Sequence, residues 1–192
     1  MEREHAKRII EALLFATESP VTPERLRETL GESAGSAVEE LVRELKADYA
    51  QSQRSLTIVE VAGGYQMATD PAYAPWIKKF YGKVRQEKLS RPALETLAIV
   101  AYKQPVTTPE IEAIRGVDVS GVLQSLLEKG LVKILGRKDA PGRPMLYGTT
   151  KEFLQYFGLN SLSDLPKTEE LPAQAAAPTT TSNELSQSPT TS

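Results

Sequence analysis

Residues 94–132 read LETLAIVAYKQPVTTPEIEAIRGVDVSGVLQSLLEKGLV. Ser90, just ahead, predicts the cap of a helix running through Tyr102. Pro105-Val106-Thr107 breaks that helix and allows a short extended piece. Thr108 predicts the cap of a second helix, Pro109–Arg115, with proline at its first position and Gly116 as its stop. Asp118 or Ser120 starts a third, with Val122, Leu123, Leu126 and Leu127 on its apolar side and Gly130 as its end. Beyond it, Leu131–Gly136 and Met145–Gly148 read as a β-hairpin around the loop Arg137–Pro144. Phe153, Leu154 and Phe157 mark a last helix, Lys151–Phe157.

The same order occurs earlier, 85 residues upstream. Ala16, Pro20, Val21, Thr22 and Gly31 are identical to Ala101, Pro105, Val106, Thr107 and Gly116, and Val38, Leu41 and Val42 stay apolar against Leu123, Leu126 and Leu127. Ile9, Ile10, Leu13 and Leu14 give the first helix. Thr22 caps a helix beginning at Pro23, with Leu26 and Leu30 facing inward. Val38, Leu41, Val42, Leu45 and Tyr49 give the third helix. Leu56–Val61 and Tyr65–Thr69 are strands around a two-residue turn, Gly63-Gly64. Helix, turn, helix, helix and hairpin is the order of a winged-helix domain. The predicted fold is therefore α+β and mostly helical, with two tandem winged-helix domains and small hairpin wings. The expected divisions are 1–70, a linker 71–89 with a short helix near Pro75–Tyr81, a second domain 90–166, and a tail 167–192. Pro172–Ser192 is Ala, Pro, Thr and Ser, with Leu185 its only large apolar residue, so disorder is expected there.

Composition excludes several functions. The 192 residues contain no cysteine and one histidine, His5, so cysteine zinc sites, disulfides and thiolate nucleophiles are ruled out. No phosphate-binding glycine loop, metalloprotease helix or nucleophile elbow is present, so no catalytic, cofactor or metal residues are assigned. The N-terminus lacks an apolar h-region, and the apolar runs Ala12–Ala16 and Leu97–Ala101 are too short to span a membrane. A cytoplasmic protein without membrane contact or small-molecule substrate is expected.

Winged helices raise DNA binding, and the third helices bear on it. The first carries Arg43 and Lys46 against Glu39, Glu40, Glu44 and Asp48, the wrong sign for approaching phosphates. The second offers only Gln124 and Ser125 as base readers and no arginine for guanine. Charge is uneven along the chain: residues 1–70 carry a net −5 and residues 71–92 a net +5. Lys78, Lys79, Lys83 and Lys88 of this basic linker are the candidates for weak DNA contact; the alternative is a solvated connector lying on the acidic first domain. A tandem winged-helix transcription regulator is the competing reading. Each domain has only about 70 residues, a size at which docking or oligomerisation often supplements the core.

The stretch from Leu89 to Val132, followed by GRKDAPGRPMLYG at 136–148, strongly resembles the segregation and condensation protein B family. EALLFA at 11–16, VEVAGGY at 59–65 and FLQYFGLNSLSDLP at 153–166 are similar to it as well. The resemblance implies a non-enzymatic subunit of the bacterial condensin-like complex. It implies a homodimer formed mainly through the first domain, and the helix stripes of that domain point the same way, with Phe15 and Tyr49 among apolar positions that one hairpin is not expected to cover. It further implies binding to the kleisin subunit ScpA, through it to the SMC ATPase, and association with the nucleoid during chromosome segregation. Within the second domain, Leu97, Val100, Ile111, Leu123 and Leu127 sit at core spacings. Arg115, Arg137, Arg143 and Tyr147 sit at a helix end, a wing loop and a wing strand, and are the expected kleisin contacts. The other role open to Arg115 is capping its own helix; for Arg143 it is bracing the wing, beside a carboxylate such as Asp139.

Overall fold

The computed structural model describes residues 2–31, 37–82 and 88–167. Lys83 and the tail expected after 167 fall outside the described residues, apart from Lys167 itself. Helices α1 (Arg3–Ala16), α2 (Pro23–Leu30) and α3 (Val38–Gln51) precede strands β1 (Leu56–Val61) and β2 (Gly64–Thr69). A 3₁₀ turn, Pro71–Tyr73, leads into α4 (Ala74–Tyr81). Then follow α5 (Arg91–Lys103), β3 (Val106–Thr107), α6 (Thr108–Arg115), α7 (Ser120–Glu128), β4 (Val132–Arg137), β5 (Met145–Thr149) and α8 (Lys151–Phe157). A second 3₁₀ turn, Leu162–Asp164, closes the described chain but for three residues. The architecture is mostly helical with two small antiparallel sheets.

Two hydrophobic cores form, one from each set of three helices. Ile10, Leu14, Leu26, Val38, Leu41, Leu45 and Ile58 fill the first. Leu97, Val100, Ile111, Leu123, Leu126, Val132 and Phe153 fill the second, with Leu127 packed against it. The helical stripes thus bury the positions that their three- and four-residue spacing selects. Tyr49, expected to be uncovered, is packed into the first core, and its hydroxyl donates to Glu11 Oε1 at 2.5 Å. Phe15 is left exposed.

The repeat is closed by matching strand contacts. Val21 and Tyr65 exchange backbone hydrogen bonds of 2.9 Å in each direction. In the second half the corresponding Val106 pairs with Tyr147, in a sheet ordered β3-β5-β4. Both tyrosines are buried.

Three local expectations shift by one residue, the simplest being the strand expected at Leu131–Gly136, which runs Val132–Arg137. The first hairpin turns at Ala62-Gly63 rather than Gly63-Gly64, since Val61 pairs with Gly64. Ala62 and Gly63 take φ 53° and 76°, the positive values that a tight two-residue turn needs at both positions. An alanine holds that conformation here because its N–H donates to Leu159 O at 2.8 Å, while the Gly63 N–H donates to Asn160 Oδ1 at 3.0 Å. The α6 cap is Thr107, not Thr108. The Thr107 N–H and hydroxyl both donate to Glu110 Oε2 at 2.8 Å, and this reach back from the third helical residue places Thr108 inside the helix.

Candidate partner-binding site

The second hairpin carries exposed basic and apolar side chains together. Strand β4 lies at the sheet edge, and every residue from Lys133 to Arg137 is exposed. Leu135 is the extra residue between the pairs Ile134–Tyr147 and Gly136–Leu146. This bulge lays Leu135 over Gly148, where a Cβ would come within 2.7 Å of Leu135 Cδ1. Ile134, Leu135 and Met145 form an exposed apolar strip on this hairpin.

Basic groups rim that strip. The loop after β4 is closed by Lys138 N–H to Pro144 O at 2.9 Å and by Arg143 N–H to Ala140 O at 2.8 Å. Arg143 has φ 41°, directly after Gly142 at 78°. The Arg137 guanidinium donates to the Arg143 carbonyl at 3.0 Å and so holds the loop in this shape. The Arg143 guanidinium itself has no ion pair among the described residues, and the brace to Asp139 does not form. A charged fork is therefore presented on a fixed loop, beside apolar surface.

The other two expected contacts belong to the interior. Arg115 lies with its side chain only 15% exposed. Its Nη1 donates to Pro92 O at 2.9 Å and to Thr96 Oγ1 at 2.8 Å, and its Nη2 pairs with Glu95 Oε2 at 2.9 Å. It neither caps its own helix nor faces solvent; it ties α6 to the first turns of α5. Tyr147 is a core residue, because β5 turns its alternate positions Tyr147 and Thr149 inward. Sequence reasoning missed Ile134, Leu135 and Met145. The unbroken apolar pair Ile134-Leu135 was the available signal, since a half-buried strand should alternate.

Lys138 joins the hairpin loop to α6. Its Nζ lies 2.6 Å from Glu110 Oε1, while the other carboxylate oxygen takes the two Thr107 donors. The Lys138 ammonium, and after it these capping bonds, hold the Glu110 carboxyl down from 4.5 to about 2. A depressed carboxyl stabilises the fold fully above its unfolded value, and that contribution disappears as pH falls from about 4.5 towards 2. NMR titration of the side-chain carboxyls is expected to place Glu110 well below the other glutamates. In Lys138→Ala its midpoint should move up towards 4.5. A Glu110 midpoint already at the ordinary value would contradict the pairing.

The third helices are poor nucleic-acid readers for reasons that go beyond composition. Along α3, Glu40 and Glu44 pair with Arg3, Asp48 with Lys7, and Glu39 with Arg27. Those bases from α1 and α2 are thereby committed to intramolecular pairs. On α7 the Gln124 amide donates to Glu128. Lys78, Lys79 and Lys88 are exposed, the first two on α4; Lys83 is outside the described residues. Among the described residues no group of three His, Cys, Asp or Glu could hold a metal ion. No described helix is long and apolar enough to cross a membrane.

These features define a chain of small helical units with an exposed basic and apolar hairpin and no group of metal-ligating residues among the described ones. The family model for segregation and condensation complex subunit ScpB matches residues 8–168, and the chain belongs to that family. It is 51% identical over 171 residues to segregation and condensation protein B of Syntrophotalea carbinolica, covering 88% of this chain and 85% of the relative. It is 49% identical to that of Symbiobacterium thermophilum, covering 86% and 74%. Among solved structures, ScpB from Mycobacterium tuberculosis is 33% identical with a TM-score of 0.41, covering 83% of this chain and 98% of that one. A dimer of an ScpB N-terminal domain complexed with an ScpA peptide is 29% identical with a TM-score of 0.37, covering 40% and 95%.

Proposed function

We propose that this chain is a non-catalytic subunit of the bacterial SMC condensin-like complex, acting in chromosome segregation and condensation during cell division. In this reading it consists of two tandem winged-helix domains, 1–70 and 90–166, joined by the basic linker 71–89. It forms a homodimer through the first domain and binds the kleisin ScpA, and through ScpA the SMC ATPase. It is cytoplasmic and reaches the nucleoid through the complex. Family membership over residues 8–168 carries this reading. The twofold order of three helices and a hairpin supports it.

The kleisin contact is assigned to the second wing, with Arg143 and Arg137 beside Ile134, Leu135 and Met145. An acidic and apolar partner segment complements that surface. Arg115 and Tyr147 support it from inside. Calorimetric titration of the full chain with the central segment of ScpA from the same organism tests the assignment. Arg143→Ala is expected to weaken binding about 5- to 20-fold at an unchanged melting temperature. Arg137→Ala should weaken it through the loop it holds. Unchanged affinity in both variants overturns the wing as the contact. Nanomolar, sequence-dependent DNA binding at physiological salt would favour a transcription regulator instead.

A further inference from the structure

Helix α4 has an unusual surface. None of its eight residues is buried. Trp76, Phe80 and Tyr81 are 68%, 84% and 66% exposed, and Tyr73 in the preceding turn is 42% exposed. Phe80 and Tyr81 stack edge to face at 5.3 Å. The root of the helix is fixed: Asp70 N–H donates to Ser55 O, and the Asp70 carboxylate accepts from Ala72 N–H at 2.8 Å. An isolated helix shorter than about 12 residues is marginal in water, so its apolar face needs a packing partner. Four clustered aromatics are far more than the scattered apolar residues of an ordinary surface.

A second feature of the first half is unoccupied as well. Ala12 and Phe15 of α1, with Leu56 and Met67 of the hairpin, line a groove rimmed by Arg8 and Glu11. Phe15 stands 77% exposed beside it. The half that holds this groove carries a net −5, and the segment that holds α4 a net +5.

We propose that α4 of one copy packs into the α1–hairpin groove of a second copy, and that the exchange is reciprocal. This rests on the homodimer reading above and names the surfaces that form it. A twofold arrangement lets each copy supply one helix and one groove, so the contact closes on itself. Four aromatics per copy, at about 150–250 Å² each, supply roughly 1,200–2,000 Å² between two copies, the size of a stable interface. Opposite net charges bring helix and groove together.

Trp76 is the only tryptophan, so its fluorescence reports on α4 alone. Sedimentation velocity and emission spectra of the full chain should be followed through a dilution series. Emission should be blue-shifted where the chain is dimeric and move to that of an exposed indole as it dissociates. Phe80→Asp and Phe15→Asp should each weaken dimerisation by about 30-fold or more, with circular dichroism unchanged. A mixture of the two variants should recover dimer, because one intact helix–groove pair remains. A dimer with exposed-type emission, or either variant dimerising as well as wild type, overturns the α4 exchange and leaves the dimer standing. A chain that is monomeric throughout overturns both. Blue-shifted emission from the monomer places α4 on its own copy and overturns the exchange. So does co-sedimentation of the wild type, but not Phe80→Asp, with anionic phosphatidylglycerol vesicles when neither variant alters the dimer.

Discussion

Replacing Arg115 by alanine is expected to lower the stability of the second half by about 2–4 kcal/mol. The guanidinium makes three contacts across the α5–α6 junction, to Pro92 O, Thr96 Oγ1 and Glu95 Oε2. Thr96 is fully buried, so its hydroxyl loses a charged donor that water cannot replace. Glu95 also pairs with Arg91, so it retains one partner, and the loss at that end is smaller. Each kcal/mol moves the melting temperature of a unit this size by about 4–8 °C, giving a fall of roughly 10 °C or more. Arg115→Lys should fall between, because one ammonium cannot reproduce the planar fork that serves Pro92 and Thr96 from one nitrogen and Glu95 from the other. Thermal melts of the full chain decide the matter. A melting temperature within 1–2 °C of wild type would show that these bonds contribute nothing net. Partner binding measured well below the transition should stay close to wild type, the opposite of what is expected of Arg143.

The contrast between these two arginines shows how far the amino-acid sequence could be read. Local chemistry was legible where it is self-contained. Thr22 and Pro23 start α2 at the expected residue, and Lys151–Phe157 forms as expected, because caps and prolines act within a turn of themselves. The apolar stripes named the core because burial follows periodicity. Arg115 could not be placed in the same way. Its partners lie 19 and 23 residues upstream, on a helix whose approach is set by packing alone. Tyr147 depends on which face of β5 turns inward, and that is decided by its pairing with Val106, across some forty residues. The Ile134-Leu135 pair breaks alternation and so flags the strand, but where the bulge falls depends on the register with β5. The short helix near Pro75 was legible; the exposure of all its aromatics was not, since the same residues would suit a buried helix equally well.

The first half offers a sharper test of backbone packing. Gly64→Ala is expected to destabilise it by about 2–4 kcal/mol. A Cβ at Gly64 would stand 2.8 Å from the Val21 carbonyl oxygen, 2.9 Å from its carbon and 3.2 Å from Pro20 Cβ. All three belong to or adjoin the backbone, and the ring of Pro20 fixes its φ, so no flexible side chain can swing aside. Relief requires Val21 to move, which breaks the two 2.9 Å hydrogen bonds it exchanges with Tyr65. Those bonds join the segment after α1 to the hairpin, and the hairpin supplies one side of the groove beside Phe15. Gly63→Ala is the control. Nothing lies within 4 Å of a Cβ there, so only the left-handed φ of 76° is penalised, at about 1–2 kcal/mol. Urea denaturation of the two variants should therefore rank Gly64→Ala below Gly63→Ala, and sedimentation should show Gly64→Ala losing dimer as well. Equal midpoints, or Gly63→Ala as the weaker of the two, would mean that the hairpin does not close against Val21.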